Sequence, residues 1–130
     1  MDKIEYDLAG QVIGLAMRVH SKLGPGFLES VYQNALVYEL RKTGFEVEEE
    51  RRLSVKYDGV VVGDFIADLL VNHTLLIENK SVQCLAVAHE VQLVNYLTAT
   101  GLDEGLLLNF GAQRLEFKKK FRQPRPVAQS

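Results

Sequence analysis

At Gly44 the spacing of apolar residues changes from a helical period to a period of two, which limits the chain to folds that combine helices with a sheet. Before it, Leu8, Val12, Leu15, Val19 and Leu23, with Ile4 one turn earlier, predict a helix over about 4–23. Gly24-Pro25-Gly26 ends it, since glycine suits a left-handed cap and proline cannot continue a helix. A second helix is predicted over about 27–43, with Leu28, Val31, Tyr32, Ala35, Leu36 and Leu40 on its apolar face. After Gly44, Phe45, Val47 and Glu49 alternate with Glu46 and Glu48, and Leu53, Val55 and Tyr57 repeat the pattern up to an Asp58-Gly59 hairpin turn. A long strand or bent pair over 60–71 follows, with a break possible at Gly63, then an Asn72-His73 turn and a strand over 75–81. A helix over about 85–100, a strand over 105–110 buried on both faces and a last strand over 114–121 complete the order. The late strand–helix–strand unit predicts parallel pairing, hence an α/β fold with a mixed central β-sheet flanked by α-helices.

The chemistry concentrates between Asp68 and Lys80. An apolar strand, Leu75-Leu76-Ile77, runs directly into Glu78-Asn79-Lys80. Side chains alternate across a strand, so Glu78 and Lys80 share a face and Asn79 points the other way. Hairpin pairing with the preceding strand brings Asp68 beside them. On that strand Phe65, Ala67, Leu69 and Val71 form a wholly apolar set that reads as core, and Asp68 lies deep enough to be buried. A buried carboxylate needs a partner. A divalent cation supplies one and Lys80 another, so a metal site and a structural ion pair both satisfy the spacing.

On the following helix His89, Gln92 and Tyr96 share a face opposite Val91, Leu93, Val94 and Leu97. Each of the three polar groups can hydrogen-bond a phosphate, a base or a neighbouring carboxylate; an exposed polar face is the plainer alternative. Glu29, at the start of the second helix, favours the helix dipole and can equally join a site, with Tyr32 one turn on. His20, one turn before the Gly-Pro-Gly break, reads as structural.

Charge is asymmetric. Residues 113–130 carry six basic side chains against one acid, net +5, while the rest carries nine against sixteen, net −7. The basic end suits a phosphate backbone or a solvated tail, and the acidic remainder argues against tight nonspecific nucleic-acid binding. One cysteine, Cys84, excludes an intrachain disulfide and a multi-cysteine zinc or iron–sulfur site, and reads as a core or helix-start residue. No apolar run reaches the length of a membrane helix, and the first residues lack signal-peptide character, so a cytoplasmic protein without membrane association is expected.

The segment around Gly26, Glu29 and Tyr32 resembles the signature of the GxxExxY protein family, a group placed in the PD-(D/E)xK nuclease superfamily. The Tyr57-Asp58-Gly59 hairpin, the Ala67-Asp68-Leu69-Leu70-Val71 strand, the Glu78-x-Lys80 strand, the Gln92-x-x-x-Tyr96 helix and the Gly105–Gly111 segment agree in order, over about residues 5–122. The resemblance implies a restriction-endonuclease-like core as a single domain over 1–122, with 123–130 a flexible tail. It implies hydrolysis of nucleic-acid phosphodiesters with Mg²⁺ or Mn²⁺, or alternatively a non-catalytic nucleic-acid- or protein-binding module on a nuclease fold. Asp68, Glu78 and Lys80 would form the central motif, with Gln92 and Tyr96 as the QxxxY element. Asp68 and Glu78 would hold the metal, with a backbone carbonyl near Asn79 and with Glu29 through water. His20, Tyr32 and His89 would support the site. DNA and RNA both remain open as partners, and a homodimer able to span a duplex is an accompanying expectation. Two positions depart from the usual pattern: Ala67 stands where proline often precedes the acid, and Asn79 where an apolar residue is usual.

Overall fold

A computed structural model describes residues 7–123; the predicted helix start over 4–6 and the predicted tail from 124 onward lie outside the described residues. Eight elements follow in order: α1 (Leu8–Leu23), α2 (Glu29–Thr43), β1 (Val47–Tyr57), β2 (Val60–Val71), β3 (Leu75–Lys80), α3 (Val87–Thr100), β4 (Glu104–Asn109) and β5 (Glu116–Phe121). The strands form one mixed sheet in the order β1-β2-β3-β4-β5. β3 and β4 are parallel, joined through α3, and the other neighbours are antiparallel. The parallel pair follows from the connection, because parallel strands need a crossover long enough to return the chain to the same end.

α1 and α2 cover one face of the sheet. Val12, Ala16, Val19, Leu36 and Leu40 pack there against Leu69, Val71, Ile77, Leu106 and Leu108. α3 covers the other face, where Leu93 and Leu97 meet Ala67, Leu76 and Leu107. Three apolar residues in a row on β4, Leu106-Leu107-Leu108, are buried because both faces are covered.

Element starts shift by one or two residues from the sequence expectation. α2 starts at Glu29 because Leu28 is still extended (ψ 156°), and α3 starts at Val87 after an extended Ala86. β2 continues through Gly63, but its register with β1 slips beside that glycine: Val55 pairs with Gly63 and Lys56 with Val61, so Val62 is the extra residue. Val91 is half exposed rather than part of the packed stripe, and Cys84 is exposed in the loop before α3 rather than in the core.

One correction matters for the site. Phe65 and Ala67 pack on the α3 face, whereas Leu69 and Val71 pack on the α1–α2 face. The alternation therefore slips at Asp68. β1 slips with it: Val47 packs on the α1–α2 face and Leu53 on the α3 face, with Glu50 between them at φ 50°. The pairs Glu49–Leu69 and Arg51–Ala67 flank this point, and Glu50 and Asp68 are not paired across it.

Three cations of the basic end are paired. Lys120 pairs with Glu90 of α3 (2.7 Å), Arg122 with Asp103 (2.7 Å) and Lys119 with Glu104 (3.8 Å). Neighbouring acids thus offset three of the six cations. Among the described residues no helix is long and apolar enough to cross a membrane.

Candidate active site

The sheet forks between β2 and β3. The antiparallel ladder runs from Val71–Leu75 through Leu70–Leu76 to Leu69–Ile77 and stops there. The next opposing residues are Asp68 and Glu78. Beyond them β2 stays with β1, and β3 stays with β4 as far as Lys80–Asn109. Side chains replace the missing backbone bonds: Asp68 Oδ2 accepts from Asn79 N (2.7 Å), and Glu78 Oε2 accepts from Asp68 N (3.3 Å). The two carboxylates therefore lie side by side in the notch, anchored by the amides that the fork leaves free.

The strand period sets what faces the notch. Leu76 packs on the α3 face, so Glu78 and Lys80, at the same parity, look toward α3. Asn79 lies on the opposite face, buried, with its amide nitrogen donating to Gln33 of α2 (3.3 Å).

Electrostatics mark the fork as a costly place for negative charge. Burial pushes the Asp68 carboxyl up; the bond from Asn79 N opposes this, and the charge of Glu29 adds to it. Burial, then the Asp68 charge, pushes Glu78 up to about 7. Lys80 lowers both without forming an ion pair to either, so the salt-bridge alternative is not the arrangement the fold adopts. Glu50 also acts on Asp68.

These shifts give a stability test. A carboxyl whose folded pKa lies above its unfolded value contributes stability at low pH that is lost as pH rises through the folded pKa. For metal-free protein that loss falls between about pH 4.5 and pH 7 for Glu78. Glu78→Gln keeps the acceptor for Asp68 N and stays neutral. It is expected to be more stable than wild type at pH 8 in chelator, by on the order of 2 kcal/mol after discounting for partial solvent access, and to converge with it near pH 4. Urea melts at the two pH values measure this. A Gln variant less stable at pH 8 would mean the carboxylate is well solvated.

The remaining sequence-selected residues divide. Tyr96 of α3 stacks on Phe65 of β2 (centroids 3.6 Å apart), and both burial and the Glu78 charge raise its pKa. Gln92 is exposed on the same helix, with no hydrogen bond to the carboxylates among the described residues. Glu29 is exposed, and its Oε2 accepts from Ser81 N (3.2 Å) just past β3, which sets it within electrostatic range of the fork. His89 is not brought to the carboxylates: its Nδ1 accepts from Ala86 N (3.1 Å) and closes the start of α3. His20 is buried on the α1–α2 face, where Nε2 donates to the Ala112 carbonyl (2.9 Å). Tyr32 is wholly buried and stacks on Phe110 at 4.8 Å.

Sequence reasoning passed over Glu50, Ser81 and Phe65. Phe65 carried a signal, since an aromatic one strand away from the QxxxY helix is a natural packing partner. Ser81 and Glu50 carried none, because backbone geometry places them.

The donor set fits a hard divalent cation: two adjacent carboxylate groups, both held toward the neutral form. Among the described residues, no three His, Cys, Asp or Glu side chains already close on one point. A model of the PD-(D/E)XK nuclease superfamily matches residues 6–121. The chain belongs to the PD-(D/E)XK nuclease superfamily. No curated protein matches the sequence. Among solved structures, the crystal structure of SSO0001 is similar over 74% of this chain and 50% of that one, at 17% identity and a TM-score of 0.56, a likeness of fold. An alkaline exonuclease (LHK-Exo) from Laribacter hongkongensis is similar over 72% and 56%, at 14% identity and a TM-score of 0.47. The chain thus spans about half the length of these two proteins.

Proposed function

We propose that this superfamily member is a Mg²⁺- or Mn²⁺-dependent nuclease of the GxxExxY group that hydrolyses phosphodiester bonds of nucleic acid. One observation carries the proposal: Asp68 and Glu78 face each other across the forked strands, both pushed toward the neutral form, with Lys80 on the same face of β3. A fold stores two disfavoured carboxylates together at a cost, and a cation shared between them removes that cost.

Asp68 and Glu78 would hold the ion, joined by a backbone carbonyl near Asn79 and by Glu29 through water. When bound, the ion supplies Lewis acidity and charge neutralisation at the phosphate. Lys80 would donate a hydrogen bond to the attacking water or to the phosphoryl oxygens as charge develops there. Tyr96, braced by Phe65, and Gln92 would hold the scissile strand through phenol and amide hydrogen bonds. Glu29 already stands on the end of β3 and would complete the acidic wall.

Calorimetric titration with Mn²⁺ tests the metal half. Wild type is expected to bind, and Asp68→Ala to bind at least about tenfold more weakly. A proton on Glu78 competes with the ion, so affinity should rise up to about pH 7 and level off above it. Affinity independent of pH between 6 and 8 would remove Glu78 from the donor set. Saturable nucleic-acid binding in chelator, with no cleavage in Mn²⁺, would instead favour a binding module on a nuclease fold. We further propose a cytoplasmic location and a homodimer able to span a duplex, read by fractionation and sedimentation.

A further inference from the structure

We propose that Ser81 and Tyr32 are positioning residues that clamp the α1–α2 connection onto the end of β3 and so fix the Glu29 carboxylate beside the fork. Four hydrogen bonds make the clamp. Tyr32 Oη accepts from Phe27 N (3.1 Å) and donates to the Gly24 carbonyl, closing the Gly24–Phe27 turn from within the core. Ser81 Oγ donates to the Phe27 carbonyl (2.9 Å), and Ser81 N donates to Glu29 Oε2 (3.2 Å). Phe27 is thus held through its nitrogen by Tyr32 and through its oxygen by Ser81. Glu29, two residues further on, meets the residue that follows Lys80.

The arrangement is built rather than incidental. Tyr32 is 0% exposed and its ring is fixed against Phe110, itself buried, so its hydroxyl has one available direction. Gly26 supplies a φ of 112°, which L side chains rarely adopt, and so lets the turn reach back to Tyr32. Leu28, in the helix-capping position, makes no side-chain capping bond, so the clamp and not a cap fixes the entry to α2. Without it Glu29, on an exposed first turn, has rotamers that lead into solvent. What the clamped carboxylate is for rests on the nuclease proposal; that it is clamped does not.

The test uses Tyr32→Phe, which keeps the stacked ring and removes only the hydroxyl, and Ser81→Ala, on a half-exposed residue whose loss leaves the core alone. Hydrogen exchange reads the clamp directly, because the amide of residue 81 donates to Glu29. Its exchange should accelerate about fivefold or more in each variant while that of Ile77 in β3 stays unchanged. Mn²⁺ affinity should fall about three- to tenfold in each. In a Glu29→Gln background neither substitution should lower affinity further, since the carboxylate they position is gone. Ser81→Thr should restore both readouts. Unchanged exchange at residue 81 in both variants, or an equal affinity loss in the Glu29→Gln background, would overturn the proposal. Wild type that fails to bind Mn²⁺ would overturn the nuclease reading, while the exchange measurement would still decide the clamp.

Discussion

Lys80→Ala is expected to lower the single-turnover cleavage rate by on the order of 10³-fold while leaving the protein folded. Lys80 sits at the end of β3, half-buried, and makes no ion pair among the described residues, so its removal breaks no structural bond. Its ammonium lowers the pKa of both Asp68 and Glu78. Two effects on metal binding therefore oppose each other in the variant. The carboxyls hold their protons to higher pH, which weakens affinity near neutrality, and the repulsion between ammonium and cation is lost, which strengthens it. At pH 8.5, well above the Glu78 value of about 7, proton competition at Glu78 is weak and Mn²⁺ affinity should be no weaker than wild type. Loss of rate with retained affinity separates Lys80 from the ligands: Asp68→Ala and Glu78→Ala should lose both. A Lys80→Ala variant that cleaves within tenfold of wild type would remove the ammonium from the chemistry.

The largest expected stability effect lies outside the carboxylates. Asn109, at the end of β4, is 0% exposed. Its Oδ1 accepts from Val82 N (2.9 Å) and Gly111 N (3.0 Å), and its Nδ2 donates to the Val82 carbonyl (2.9 Å) and to Glu116 Oε1 (2.7 Å). Glu116 Oε1 in turn accepts from Leu85 N (3.1 Å). One side chain therefore pins the segment that leads from Lys80 to α3. Gly111 lets this segment approach: a β-carbon there would come within 2.5 Å of Val82 N and Val82 O. Asn109→Ala strands several part-buried polar groups at once, each costing up to about 1–3 kcal/mol when unpaired, and these costs are not additive. A loss of about 3–5 kcal/mol is expected, a large fraction of the stability of a chain this size. Urea denaturation checks it, and a change below 1 kcal/mol would mean water takes over these bonds freely.

Much of this architecture is legible in the sequence, for reasons that can be named. The period change at Gly44 and the glycines after each helix gave all three helices and the sheet to within a few residues. The alternation Glu78-Asn79-Lys80 gave the opposed faces, because β3 is regular and buried on both sides. What escaped was set by backbone geometry between strands. The fork at Asp68 and Glu78 depends on where two ladders stop, which no single strand encodes. The slip that sends Ala67 and Leu69 to opposite faces depends on Glu50 adopting a left-handed conformation, and a third consecutive glutamate gives no warning of that. His89 shares a helical face with Gln92 and Tyr96, yet lies close enough to the start of α3 for the free Ala86 amide to claim it. Ser81 looked like the end of a strand; its importance comes from a loop some fifty residues earlier that folds back onto it.

The most direct measurement is cleavage itself. Purified wild-type protein and Glu78→Ala would be incubated with end-labelled single- and double-stranded DNA and RNA, in Mn²⁺ and in chelator. The expected result is strand scission by wild type in Mn²⁺ alone, abolished in chelator and lowered by on the order of 10³-fold or more in Glu78→Ala. Scission that persists in Glu78→Ala, or wild type that binds Mn²⁺ yet cuts none of the four substrates, would contradict an active phosphodiesterase in the β2–β3 fork.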